Sequence, residues 1–302
     1  MKRRGSNHDH AGHEKGRSRL FGPGFGGILR SLFDRMPWTE SATREESLIV
    51  PAPAGRAIRV HNANGKTRIV GEDRPDIEIR IQKSVRADCS DVATRLLDSI
   101  RIQSSAGAEV LEIEVQIPRR CSRHAVAHIE LRVPRETRIS TRSSNGKICL
   151  EGIDRDVRAH SSNGSISICE VNGDIDVTTA NAKVACRCTH GHLRARSSNG
   201  KIELGGHRGS VDASTSNGII CASLESVGEV GVQLTTSNGR IVLDLPERLD
   251  ADIDMRVENG LIRNDLDLEQ RAGDESGWIR GRLGKGGCPI RLRTSNGTIS
   301  IR

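Results

Sequence analysis

The dipeptide Asn-Gly recurs along this chain at a fixed interval, and that interval narrows the folds open to it. It stands at Asn145-Gly146, Asn163-Gly164, Asn199-Gly200 and Asn217-Gly218, with a missing copy at Asn181-Ala182, so each step is 18 residues. Asn238-Gly239 and Asn259-Gly260 follow after 21 residues each, Asn296-Gly297 after 37, and an outlying copy sits at Asn64-Gly65. Self-similarity at a short fixed period marks an array of stacked units.

The flanks say what the unit is. Six and four residues before the Asn stand pairs such as Val157/Ala159 and Leu193/Ala195; three and five after it stand Ile148/Leu150, Ile166/Ile168 and Ile202/Leu204. Period-two alternation on both sides of a turn means strand, turn, strand. A lone Asn-Gly would suggest a tight antiparallel hairpin. The constant period instead predicts coils stacked in register, an all-β parallel β-solenoid of about 18 residues per coil. The Asn and Gly residues named above from position 145 onward then form a structural turn ladder. They tolerate positive φ at a corner, and stacked Asn amides hydrogen-bond from coil to coil.

Five residues before the Asn runs an outward series, Arg158, Asp176, Arg194, Asp212, Gln233 and Asp254. Alternating charge on neighbouring strands is worth roughly 0.2–1 kcal/mol per pair, so a solvated structural face explains the series.

Outside the regular part, residues 141–302, the signals weaken. Residues 48–140 form a less regular β part, with alternating segments at 58–61, 68–70, 77–82, 110–117 and 126–133. Val92, Leu96, Leu97 and Ile100 predict a short helix inserted near 88–100, capped by Asp88 or Ser90. The Gly-rich stretch 265–289 reads as a long loop folded over the end of the stack. Residues 1–47 read as a flexible basic tail carrying a short amphipathic helix.

Ring content divides the chain. There are three Phe, two Trp and no Tyr among 302 residues, and after position 38 the only aromatic is Trp278. A thin aliphatic interior fits stacked strands and offers few ring platforms for sugars or bases. The first 38 residues hold eight basic and three acidic side chains, although the whole chain has a net charge of only +7. A nearly neutral body with a basic tail argues against a nucleic-acid-binding domain. In the tail, Phe25, Ile28, Leu29, Leu32, Phe33 and Met36 share one helical face. That face either caps the solenoid or lies in an anionic membrane interface, and the sequence leaves both open.

Chemistry-bearing motifs are weak. Gly65-Lys66-Thr67 lacks the earlier Gly of a phosphate loop, since position 60 is Val60. His8, His10 and His13 fit a polar tail, and Cys186-x-Cys188 is a lone pair with Cys186 at an inward position. Cys149 and Cys221 share an outward register four coils apart, too far to bridge. No metal or other cofactor is predicted. Eight Cys without framework spacing, no secretory apolar run and no membrane span predict reduced thiols and a cytoplasmic protein, with the inner membrane as a surface it could meet.

Residues 58–65, the strand pair around 129–134, the Ser-Ser-Asn-Gly and Thr-Ser-Asn-Gly cores and the ending from Leu283-Gly284-Lys285-Gly286 to Thr298-Ile299-Ser300-Ile301 resemble a bacterial family. It is the putative-adhesin family of β-strand-repeat domains of unknown function, and the resemblance covers about residues 48–302. It implies a right-handed winding and no known catalytic residues. Members are often secreted or membrane-anchored, whereas this sequence shows no signal peptide, span or lipidated N-terminal Cys. The expected function is a non-enzymatic scaffold or adhesin-like partner-binding module, with a protein partner or self-association and no small-molecule substrate. A regulatory or stress-sensing partner protein is the alternative. A carbohydrate-active enzyme is a weaker third, because Asp176, Asp212 and Asp254 share a face without an aromatic groove. An uncovered last coil would let copies stack head to tail.

Overall fold

The computed structural model describes residues 40–118, 124–274 and 277–302. The strands are β1 (Glu40–Pro51), β2 (Ala57–Asn62), β3 (Thr67–Glu72), β4 (Asp76–Ala87), β5 (Arg101–Ala106), β6 (Val110–Gln116), β7 (Ala125–Pro134), β8 (Arg138–Ser143), β9 (Ile148–Ile153), β10 (Val157–Ser161), β11 (Ile166–Asn172), β12 (Ile175–Thr179), β13 (Val184–Ser197), β14 (Ile202–Asn217), β15 (Ile220–Asp244), β16 (Ala251–Asn264), β17 (Glu269–Gly273), β18 (Trp278–Leu283) and β19 (Cys288–Ile301). The single helix among the described residues is α1 (Ser90–Asp98). No helix among them is long and apolar enough to cross a membrane.

The strands form two parallel ladders joined at the Asn corners. In one, Ile139, Val157, Ile175, Leu193 and Val211 are successive partners. In the other the column is Ile148, Ile166, Val184, Ile202 and Ile220. All ten are buried, 2% exposed or less. Period-two alternation turns alternate columns of each ladder inward, and the two inward faces make the core. Each fully buried Ile, Leu or Val contributes about 1.5–3 kcal/mol, so the stack holds without rings.

At both ends the spatial order departs from chain order. Strand β19 lies between β15 and β16. At the other end β2 lies between β6 and β8, and β3 between β7 and β9. A parallel strand can join wherever its inward column and its corner match, and the long segments before β8 and before β19 give the chain the reach. Antiparallel strands finish the ends: β4 on β7, β1 on β4, β5 on β6, β18 on β16 and β17 on β18. This is how the stack limits its open edges.

Three expectations are corrected here. Strand β1 starts at Glu40, so residues 40–47, assigned to the tail, pair with β4. The stretch 265–289 is no plain loop: Ile279 is buried between exposed Trp278 and Arg280, an alternation hidden among glycines. Helix α1 is capped by Cys89 in extended conformation, with no side-chain bond, instead of by Asp88 or Ser90. It packs on β1 and β4 with Ala93 and Leu97 buried, while Val92, expected inward, is 38% exposed.

Candidate functional site

The corner residues come together as one continuous ladder. Asn145 donates from Nδ2 to Asn64 Oδ1 at 2.9 Å, Asn163 to Asn145 at 2.9 Å, Asn181 to Asn163 at 2.8 Å and Asn199 to Asn181 at 2.8 Å. The series continues with Asn217 to Asn199 at 3.0 Å, Asn238 to Asn217 at 2.9 Å, Asn296 to Asn238 at 2.8 Å and Asn259 to Asn296 at 3.0 Å. The outlying Asn64 is thus the first rung, Asn181 keeps its place without a following Gly, and Asn296 precedes Asn259 in space.

The glycines beside them are needed for a different reason than the one read from sequence. Gly260 and Gly297 have φ of +152° and +154°, but Gly146, Gly164, Gly200, Gly218 and Gly239 lie outside the left-handed range. What all seven share is close approach. A Cβ on Gly164 would stand 1.8 Å from the Gly146 carbonyl oxygen, and one on Gly239 would stand 1.9 Å from that of Gly218. Two residues before the Asn a buried Ser or Thr completes the corner, except at Asn64 and Asn259, where Asn62 and Val257 stand. The Gly146, Gly164 and Gly200 amides donate to the Oγ of Ser143, Ser161 and Ser197 at 2.8–2.9 Å. Thr215 Oγ1 donates to the Gly200 carbonyl at 3.1 Å.

A second column escaped the sequence reading. Gly152, Glu170, Cys188 and Gly206 follow one another at the repeat interval, and all have positive φ, +71°, +53°, +50° and +62°. Only the two glycines hint at it in the sequence. Nearby, His207 is buried with Nδ1 2.9 Å from Thr189 Oγ1. Burial pushes its pKa down to about 4. Burial also raises the thiols of Cys169, Cys186 and Cys288, Cys186 to about 12. None of the three is an activated nucleophile. Cys186 is fully buried, and Cys149 and Cys221 are separated by Ser167, Ala185 and Glu203 along their column.

The outward charge series also changes at the far end. It runs Arg158, Asp176, Arg194, Asp212, Gln233, then Arg291, and only then Asp254 followed by Arg280. Insertion of β19 therefore extends the alternation. Arg194 pairs with Asp212 at 3.5 Å and Arg280 with Asp254 at 3.3 Å, so these carboxylates are occupied by neighbours. One row over, the sequence Thr235, Arg293, Arg256, Trp278 places two Arg directly opposite each other.

These side chains wall a cleft of about 660 Å³ where β15, β19, β16 and β18 meet. Thr235, Ser237 and Ser295 supply hydroxyls, and Glu258 is the one carboxylate among the lining residues. Trp278 is 44% exposed, and the Arg280 guanidinium stands 5.8 Å from its ring centroid. Gly273, at φ +94°, makes room: a Cβ there would meet the Trp278 ring at 2.9 Å. No cluster of three or more His, Cys, Asp or Glu placed to hold a metal occurs among the described residues. The face of Phe25, Ile28, Leu29, Leu32, Phe33 and Met36 lies outside the described residues, as do His8, His10 and His13.

Comparison with known proteins gives the following. A putative adhesin from Bacteroides fragilis is 12% identical and covers 86% of this chain and 97% of its own, with a TM-score of 0.47. A putative adhesin from Parabacteroides merdae is 12% identical over 86% of this chain and 96% of its own, at 0.45. A protein from Parabacteroides distasonis described as a putative lipid binding protein is 10% identical over 86% and 97%, at 0.42. No curated protein matches significantly. The Toastrack DUF4097 family matches residues 56–302, and the chain belongs to that family.

Proposed function

We propose that this protein is a non-catalytic, adhesin-like binding module. A right-handed stack of coils, about 18 residues each, serves as scaffold, and the cleft beside β18 serves as recognition surface. The observation that carries this is Trp278. It is the only aromatic residue after position 38, and it stands half-exposed over the cleft, outside the aliphatic core. Exposed rings flanked by Arg are typical anchors of binding surfaces. The pairing of Asp176, Asp212 and Asp254 with neighbouring Arg strands supports a binding role over hydrolysis.

The test compares the full chain with Trp278→Ala for retention on immobilised saccharides and purified cell-surface proteins. Any surface that holds the chain should hold the variant at least about tenfold more weakly. Equal retention would overturn the assignment of the cleft. In the same reading the N-terminal apolar face tethers the module to an anionic membrane. Flotation with liposomes should then be lost when residues 1–39 are removed.

A further inference from the structure

We infer that the cleft binds an acidic saccharide, with a carboxylate or sulfate on Arg293 and Arg256 and a sugar ring against Trp278. This rests on the binding role proposed above and adds the ligand's chemistry.

The charge layout carries it. Along the middle of this ladder Arg alternates with Asp, stands beside a hydroxyl or, at Arg142, lies between two His, and never faces another Arg. In the cleft Arg293 and Arg256 face each other across adjacent strands. Like charges directly opposite are destabilising, and an anion between them removes the repulsion. Asp254 takes up part of the charge, lying 3.5 Å from Arg256 and 3.3 Å from Arg280. Arg293 has no carboxylate partner among the described residues. A planar guanidinium with free donors matches a carboxylate or sulfate in bidentate fashion.

The other walls choose among anionic ligands. The electron-rich indole face suits the polarised C–H face of a pyranose. Thr235 and Ser295 offer hydroxyls to a polyhydroxylated ring. A nucleic-acid strand would need successive ring platforms along a basic track, and the cleft has a single ring. A lipid would need an apolar floor for its chains, whereas the lining is dominated by Arg, Ser and Thr.

The probe is already in the protein. Trp278 and Trp38 are the only indoles, so in full-length Trp38→Phe protein the emission reports on the cleft alone. It is titrated with oligogalacturonate, a neutral cello-oligosaccharide, sulfate ion and phosphatidylglycerol vesicles. We expect a saturable emission change with oligogalacturonate that weakens as salt is raised. Arg293→Ala should weaken it about tenfold or more. By calorimetry Trp278→Phe should keep most of the affinity, and Trp278→Ala should lose it. The saccharide assignment is overturned if the neutral sugar or sulfate alone acts equally well, if Arg293→Ala binds like the parent, or if only vesicles respond. A response to vesicles alone leaves the cleft as a binding surface. Silence with every probe, together with unchanged retention of Trp278→Ala, overturns both.

Discussion

Between β8 and β14 each coil lies on the coil that precedes it in the chain, whereas at both ends a strand is inserted out of order. The middle is governed by repetition. Its inward columns are aliphatic, its corners are a Gly stacked on a backbone carbonyl, and along the row of Arg158 its outward charges alternate. The ends are governed by termination. Antiparallel hairpins take over from parallel coils, Asn264 turns its Nδ2 to the Leu266 carbonyl at 2.8 Å, and like charges are left facing each other. Repetition gives stability but no unique address. The irregular end is where a specific surface can be written, and the one exposed ring among the described residues, Trp278, is found there.

The contrast can be broken most sharply at the glycines. Gly164→Ala forces a methyl to 1.8 Å from a backbone carbonyl within a fixed stack, and should cost more than about 3 kcal/mol. Gly277→Ala at the hairpin meets nothing closer than 3.8 Å and should leave the thermal midpoint unchanged. If both variants melt alike, the middle is not the rigid part.

Acid should act on the middle next. His207 titrates near 4 in the fold and near 6.5 when unfolded. Below pH 6.5 the unfolded chain binds a proton that the folded chain refuses, so stability should fall as pH drops from 6.5 towards 4. The loss approaches about 3 kcal/mol at the low end. Urea melts across that window check it, and His207→Leu should flatten the slope.

The amide ladder separates middle from end more gently. Asn199→Ala removes bonds to both Asn181 and Asn217, while Asn259→Ala removes the one to Asn296. The first should cost about 1–2 kcal/mol and the second about half of that. Chemical denaturation that ranks them in reverse would deny the ladder a cumulative role. The last expected effect is a gain. Cys188→Gly relieves a left-handed non-glycine residue and should stabilise the stack by about 1 kcal/mol.

Much of this was legible beforehand because period two and the coil interval are local properties. Val157, Ile175 and Leu193 announce one column, and the Asn-Gly copies announce their corner. The Ser or Thr two residues before the Asn was visible as well in the Ser-Ser-Asn-Gly and Thr-Ser-Asn-Gly tetrapeptides, although the bond of Ser143, Ser161 and Ser197 to the corner amide was not. The positive-φ column was hidden because Glu170 and Cys188 carry no local mark of that conformation. The hairpin of β17 and β18 was hidden because its alternation is diluted by glycine. The cleft itself could not be read, since Arg293 and Arg256 are 37 positions apart and meet only through the inserted strand.

The sequence by itself determined the strands of the regular coils, their inward faces, the corner ladder and the absence of a ring-filled core, because each depends on side-chain spacing within one coil. Only the tertiary structure decided the order of coils at the ends, the role of Asn64 as first rung and the grouping of Trp278 with three Arg. The physical reason is that a repeating column accepts any coil in register. Which coil takes the place depends on chain reach and on how each end can close its edge, and neither is written in the spacing of residues.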